Sequence, residues 1–339
     1  MELESMPKFL EKKTILVTGA TGFLAKAFLE KILRVQPDVR RLYLLIRASD
    51  LASATQRLHN EVIGKDLFRI VQEKWCANLD SFISEKVIAV PSNVYYENLG
   101  VKDCQLRKDM WTELDIILNS AATTRFDERT IDGVISAYGK GKLKCFLGHH
   151  ETIFDIIPAD MVVNCMIVAM VAYANQPYEI ILHVGSSWRN PIKFSRFRNV
   201  IVRYFAENPL FSNNGKSIRV ENVTVLSSMA SFRAYMAIRY LMPLKVFQIA
   251  NAVICQYYQD SIIDHKRKIK SVIRLAELYK PFVFFMGRFD DSNTEKLQMA
   301  TSESGVDSHL FGFDPKCIDW EDYLMNTHIP GLIKYALKI

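Results

Sequence analysis

The chain lacks Cys-x-x-Cys pairs and any cysteine–histidine spacing of the kind that holds zinc. Its six cysteines (Cys76, Cys104, Cys145, Cys165, Cys255 and Cys317) are scattered, which predicts reduced core thiols in a cytosol-facing protein and no metal site. There is no RNA- or DNA-binding motif and no concentrated basic arm. The net charge of +6 is mild; it suits an anionic ligand or a membrane surface and does not argue for nucleic acid. No apolar run is long enough to span a bilayer. The longest, Met161 to Ala174, is interrupted by Asn164 and reads as a buried helix, so any membrane contact is expected to be peripheral. The stretch from Met1 to Lys13 has no apolar segment and carries Glu2 and Glu4, so neither a secretory signal nor a transit peptide is expected. Internal repeats and low-complexity tracts are absent from the sequence.

What remains is an ordinary globular composition. Of 339 residues, 49% are hydrophobic and 24% charged, enough for one large or two modest domains with real cores. The most informative stretch runs from Lys13 to Arg34. Thr14-Ile15-Leu16-Val17-Thr18 reads as a buried strand, and Gly19, Gly22 and Ala25 punctuate a tight turn opening into a helix. In that arrangement a helix N-terminus holds a dinucleotide pyrophosphate. Gly19 permits the turn, Gly22 lets backbone approach phosphate, and Ala25 lets helix pack on strand.

Leu42 to Ile46 reads as a second strand, Glu85 to Pro91 as a third and Leu114 to Leu118 as a fourth, with helical stretches between them. This predicts an α/β fold with a Rossmann-like parallel sheet joined by right-handed crossovers. Arg47, after the second strand, suits a ribose 2′-phosphate and so NADP; the nearby Asp50 keeps NAD open. Ala121 and Ala122, past the fourth strand, either let a cofactor lie against the sheet or simply close-pack a strand end.

From Thr130 the texture changes. Tyr138 to Lys142, YGKGK, is a glycine-rich turn. Pro158-Ala159-Asp160 opens the apolar helix, with proline in its first turn and aspartate near its positive end. Ile180 to Gly185 reads as another buried strand, with His183 as a core histidine. After Asn208-Pro209 the chain is mostly helical. It includes an apolar, aromatic run from Arg239 to Tyr258 and the basic stretch HKRKIKSVIR from His265 to Arg274. That stretch reads as a solvated helix face or as a contact for anionic lipid or a polyphosphate ligand. Asp290 to Asn293 offers helix N-caps before Thr294.

The glycine turn, the strand end LLIRAS, the segment NSAATTRFDE and the later IPADMVVN and HVGSS blocks together resemble plant alcohol-forming fatty acyl-CoA reductases. The stretches SSMASFRAYM, FDDSNTEKL and WEDYLMNTHIPGLIKY are similar to that family's helical male-sterility domain. The resemblance covers nearly the whole chain. It implies an NADP-binding Rossmann-like domain of the extended short-chain dehydrogenase/reductase type over residues 1–208, and a helical C-terminal domain over 209–339. It further implies reduction of a long-chain or very-long-chain acyl-CoA to an aldehyde and then a primary alcohol, of the kind that feeds waxes, suberin-type polymers and pollen-wall lipids. The implied location is the cytoplasm or the cytoplasmic face of the endoplasmic reticulum. Carried over by position, the cofactor contacts are Thr18, Gly19, Ala20, Thr21, Gly22, Phe23, Leu24, Arg47, Asn119, Ala121 and Ala122. Where the family has Gly-Asp after the third strand, this chain has Ser92-Asn93, and Asn93 is the expected adenine contact.

The resemblance also exposes a gap. The family's chemistry belongs to a Tyr-x-x-x-Lys pair on one helix and a Ser or Thr from the preceding strand. Lysine lowers the tyrosine pKa, tyrosine protonates the carbonyl oxygen, and the hydroxyl orients it. These groups should follow NSAATTRFDE, but Arg129 runs directly into Thr130-Ile131-Asp132, which resembles sequence well downstream. The missing strands and helices amount to about a hundred residues at ordinary element lengths. Tyr138 and Lys142 have the right spacing, yet Gly139 and Gly141 between them cost a helix roughly 2 kcal/mol relative to alanine. No catalytic residue is therefore assigned. The expected sheet is incomplete, and the expected activity is impaired. The alternative is a non-catalytic binder of NADP or acyl-CoA, or a partner of a full-length relative.

Overall fold

Five residues of strand β1 (Thr14–Thr18) are buried without exception, as expected of a parallel strand covered on both faces. In this computed structural model the described residues are 6–121, 131–174, 176–212, 214–220, 223–253, 258–305 and 307–337. β1 is flanked by β2 (Arg41–Arg47) and β4 (Ile116–Asn119), and β3 (Val87–Ser92) lies outside β2. All three pairings are parallel, in the order β3-β2-β1-β4. The four strands expected from the sequence are thus present, within a few residues of their expected bounds.

The Phe23–Val35 helix follows β1 and buries Ala25, Phe28, Leu29, Ile32 and Leu33, the spacing of one helical face. The Ala159–Ala172 helix opens after Pro158 and buries Val163, Cys165, Ile167 and Val168 in the same core. Its Asn164 amide donates to the Gly312 carbonyl at 2.7 Å.

Two compact units make up the chain. The first comprises Met1–Thr124, Ile157–Val184 and Asp291–Asp314; the second comprises Arg125–Ile156, Gly185–Asp290 and Pro315–Ile339. Both draw on segments before and after residue 208. The second unit centres on Tyr138, Phe146, Phe197, Phe205 and Trp320. Trp320 Nε1 donates to the Asn190 carbonyl, and the Asn190 amide donates to the carbonyls of Pro315 and Ile318. Short strand pairs (Cys145–Leu147 with Thr224–Leu226, Ile153–Phe154 with Ile192–Lys193) complete it, and long helices follow.

Three expectations are corrected. Ile180 to Gly185 forms no strand: Asn293 and Thr294 side chains take the Ile181 and His183 carbonyls that a ladder would need. His183 is exposed and is no core histidine. Among the described residues β4 lies at the sheet edge, with Ile117 60% exposed. The cysteines are not all core thiols. Cys165 is buried, but Cys76, Cys104 and Cys317 are exposed, because they lie in short turns or open a surface helix.

Candidate functional site at the first glycine turn

The turn between β1 and the Phe23–Val35 helix is shaped by two neighbouring strand ends. Thr18 Oγ1 donates to Asn119 Oδ1 at 2.5 Å and accepts the Ala121 N–H at 3.1 Å. These bonds draw the end of β4 against the turn. Gly19 then adopts φ +65°, and a Cβ there would lie 2.7 Å from the Ser120 carbonyl oxygen and 2.8 Å from Ala121 Cα. Both the left-handed backbone and the close approach demand glycine. The Gly22 N–H donates to the Gly19 carbonyl at 2.8 Å, closing the turn.

Gly22 is also the helix N-cap. It supplies no side-chain cap, and the first turn holds no carboxylate. The first helical N–H groups therefore face the turn with no acceptor of their own, which is the arrangement that binds an anion. Ala20 is buried, Thr21 is half-buried, and Phe23 is 69% exposed at the mouth. Leu24 packs against the core and Ala25 is fully buried between helix and sheet. A Cβ at Gly22 would lie 3.0 Å from the Gly19 carbonyl oxygen, so any larger residue there would crowd the turn's own backbone. A dinucleotide pyrophosphate fits such a cradle.

Arg47 ends β2 in register with Ser92, so Arg47 and Asn93 sit at adjacent strand ends. The Arg47 guanidinium lies 5.8 Å from the centroid of the Tyr95 ring, a cation–π contact that the sequence reading missed; the Tyr95-Tyr96 pair after a strand was its only signal. Among the described residues no carboxylate lies within ion-pair distance of Arg47. Asp50 does not compete for a ribose. Its carboxylate caps the Leu51–Arg57 helix, accepting from the Ser53 N–H at 2.8 Å and the Ser49 hydroxyl at 2.6 Å. The Ser49 hydroxyl, followed by the Ser53 N–H, holds that carboxyl below its ordinary pKa. Asn93 is half committed: its Oδ1 accepts the Tyr95 N–H at 3.2 Å, leaving the NH₂ end for a ligand. Ala122 lies outside the described residues, as does the Arg129–Thr130 join.

Tyr138 and Lys142 do not form a catalytic couple. Tyr138 sits in the last turn of the Ile131–Gly139 helix, buried against Phe146 and Phe205, and burial raises its phenol pKa. Lys142 lies past Gly141 (φ +65°) and is exposed. A cavity of about 380 Å³ occurs at the opposite end of the sheet, lined by Phe9, Lys13, Asp115 and Met170, and plays no part in the turn.

Two family profiles, each described as male sterility protein, match the chain: the NAD-binding part over residues 17–132 and the sterile part over 239–339. The alcohol-forming fatty acyl-CoA reductase of Simmondsia chinensis is 34% identical over 491 residues, covering 99% of this chain and 100% of that protein. Fatty acyl-CoA reductase 1 of Arabidopsis thaliana is 34% identical over 484 residues, covering 98% and 99%. Because this chain holds 339 residues, the surplus of each alignment stands opposite gaps in it. Among solved structures, the reductase domain of a non-ribosomal peptide synthetase from Mycobacterium tuberculosis superposes with TM-score 0.52 at 16% identity, covering 98% of this chain and 97% of that one. The terminal reductase domain of the myxalamid pathway gives TM-score 0.53 at 14% identity, covering 89% of each. These structures share the fold.

Proposed function

The chain belongs to the fatty acyl-CoA reductase family, and on that footing we propose that it is an NADP-binding member whose reduction of long-chain acyl-CoA to fatty alcohol is impaired. The single observation that carries the impairment is the excess of the aligned length over the chain's own 339 residues. We place that loss at the Arg129–Thr130 join, where the helix bearing the proton-donating tyrosine and its lysine belongs. The open edge of β4, with Ile117 in water, supports this placement, since an inner strand of the sheet normally has neighbours on both sides. On this reading residues 1–208 inherit the cofactor-binding half and 209–339 the C-terminal half of the family.

The preference for NADP rests on Arg47, which has no carboxylate partner among the described residues, and on Asp50, which is spent on a helix cap. When bound, NADPH supplies hydride. On this reading the turn residues Thr18 to Leu24 would hold its diphosphate, Arg47 would meet its 2′-phosphate, and Asn93, Asn119 and Ala121 would border the rest of the dinucleotide. The proposed location is the cytoplasm or the cytoplasmic face of the endoplasmic reticulum. A second reading, a non-catalytic partner that pairs with a full-length relative, is favoured by the exposed Ile117 edge.

One experiment tests the first reading. Purified protein is incubated with NADPH and a long-chain acyl-CoA, fatty alcohol is sought by gas chromatography, and NADPH binding is titrated by fluorescence. Binding without alcohol is the expected result. Alcohol formation at the rate of a full-length relative overturns the impairment. Absence of NADPH binding overturns the cofactor assignment.

A further inference from the structure

Positive charge is concentrated in one part of the second unit. Residues 229–289 hold ten lysines and arginines against three carboxylates, so this stretch alone outweighs the +6 net charge of the whole chain. Two of the three carboxylates are already paired, Asp264 with Lys268 and Glu277 with Arg233. The stretch is a helical run from Met229 to Val253 followed by the Gln259–Val283 helix. The two pack through Phe232 and Met236 on one side and Ile269 and Ile273 on the other.

Their outer faces are built differently from their inner ones. On the first run Ile238, Met242, Val246 and Ile249 recur at spacings of four, four and three and are 68%, 60%, 67% and 71% exposed. Single exposed apolar residues are ordinary, but a continuous stripe of four is an interaction surface. On the second helix Ile263, Arg267, Lys270, Arg274 and Leu278 recur at spacings of four, three, four and four, and all are exposed. No described carboxylate lies within ion-pair distance of Arg267, Lys270 or Arg274. Among the described residues no helix is long and apolar enough to cross a membrane.

We propose that these two helices bind the surface of an anionic membrane, the apolar stripe entering the headgroup–acyl boundary and Arg267, Lys270 and Arg274 meeting lipid phosphates. Charge complementarity selects this occupant. A second copy would bring the same excess of positive charge against itself, and a purely apolar partner would leave the three cations without counterions.

The test is co-sedimentation of the full chain with vesicles of phosphatidylcholine alone and of phosphatidylcholine with a third phosphatidylserine. Binding to the mixed vesicles, at least about tenfold tighter than to the neutral ones and weakened by 0.5 M NaCl (roughly a 4 Å screening length), is the expected result. The triple variant Arg267→Glu/Lys270→Glu/Arg274→Glu should lose that preference. Ile238→Ser/Met242→Ser/Val246→Ser should weaken binding to both vesicle types, while circular dichroism confirms that each variant is folded. Equal binding to both vesicle types, retention of the preference by the charge-reversal variant, or concentration-dependent dimers by light scattering with no vesicle binding would each overturn the proposal.

Discussion

Apolar residues meet opposite fates in two regions of this molecule. In β1, Ile15, Leu16 and Val17 are between 0% and 1% exposed; on the Met229–Val253 run, Ile238, Met242, Val246 and Ile249 are at least 60% exposed. Both stretches are comparably hydrophobic to the eye. The difference is geometric. An inner parallel strand is covered by hydrogen-bonded neighbours at its edges and by helices on its faces, so every side chain finds a partner. A surface helix packs along one face only, and whatever its other face carries meets solvent or another molecule. Apolar content thus reports a core only where topology supplies cover.

The most forceful way to break that comparison is to empty both sites. Phe28→Ala, in the core beneath β1, should cost about 3–5 kcal/mol, whereas Ile249→Ala should stay within about 0.5 kcal/mol. Urea unfolding of the two variants decides it. A large loss at Ile249 would mean the stripe is covered.

Next in size is the turn itself. Gly19→Val forces a β-branched residue to φ +65° and drives a Cβ into the Ser120 carbonyl. Backbone strain alone should cost about 1–3 kcal/mol, and NADPH titration should show binding lost. Gly215, also at positive φ (+70°) but with open space around it, should lose less on the same substitution and keep NADPH binding. Equal losses at both positions would show that close packing at the turn is unimportant.

Cys165 gives a smaller, pH-dependent effect. Burial pushes its thiol up to about 12, from an ordinary value near 9. A raised thiol favours the neutral form in the fold, so its contribution is complete below about pH 9 and declines as pH rises toward 12, by at most about 1.4 kcal/mol per pH unit. The stability gap between the native chain and Cys165→Ala should therefore narrow above pH 9. At pH 8 an alkylating reagent should label exposed Cys76 and Cys104 and spare Cys165, as read by peptide mass spectrometry.

How much of this was legible beforehand depended on how local each signal is. β1, the glycine turn and the Phe23–Val35 helix are contiguous, and their apolar spacing and glycines suffice to place them. Ile180 to Gly185 has the same apolar texture but needs a partner far away in sequence; its carbonyls went to Asn293 and Thr294, and no strand formed. Arg47 was legible as a strand-end cation, but its Tyr95 contact and the diversion of Asp50 into a cap depend on how two loops meet. The thiols at Cys76, Cys104 and Cys317 misled because a scattered cysteine carries no periodicity to say which way it faces.

The finest contrast lies between two aspartates. Asp115 joins the starts of β1 and β4: its carboxylate accepts the Thr14 N–H at 2.8 Å and the Lys13 ammonium at 3.1 Å. Burial alone would raise this carboxyl, but the Thr14 N–H and the Lys13 charge together bring it below its ordinary value. Asp264, on the exposed helix, pairs among the described residues with Lys268 one turn away. Asp115→Asn keeps the shape and removes the charge, so it should lower stability by about 0.5–1.5 kcal/mol at pH 7. A depressed carboxyl contributes above the ordinary carboxylate range and is lost as pH falls through its folded value, so the urea midpoints of the native chain and the Asp115→Asn variant should draw together as pH falls below the ordinary carboxylate range. Asp264→Asn should move the midpoint far less over the same pH range, because its pair with Lys268 stands in water, which screens it. If Asp264 mattered as much as Asp115, the outer helix face would be shielded from solvent and its positive charge would not be available to a lipid surface.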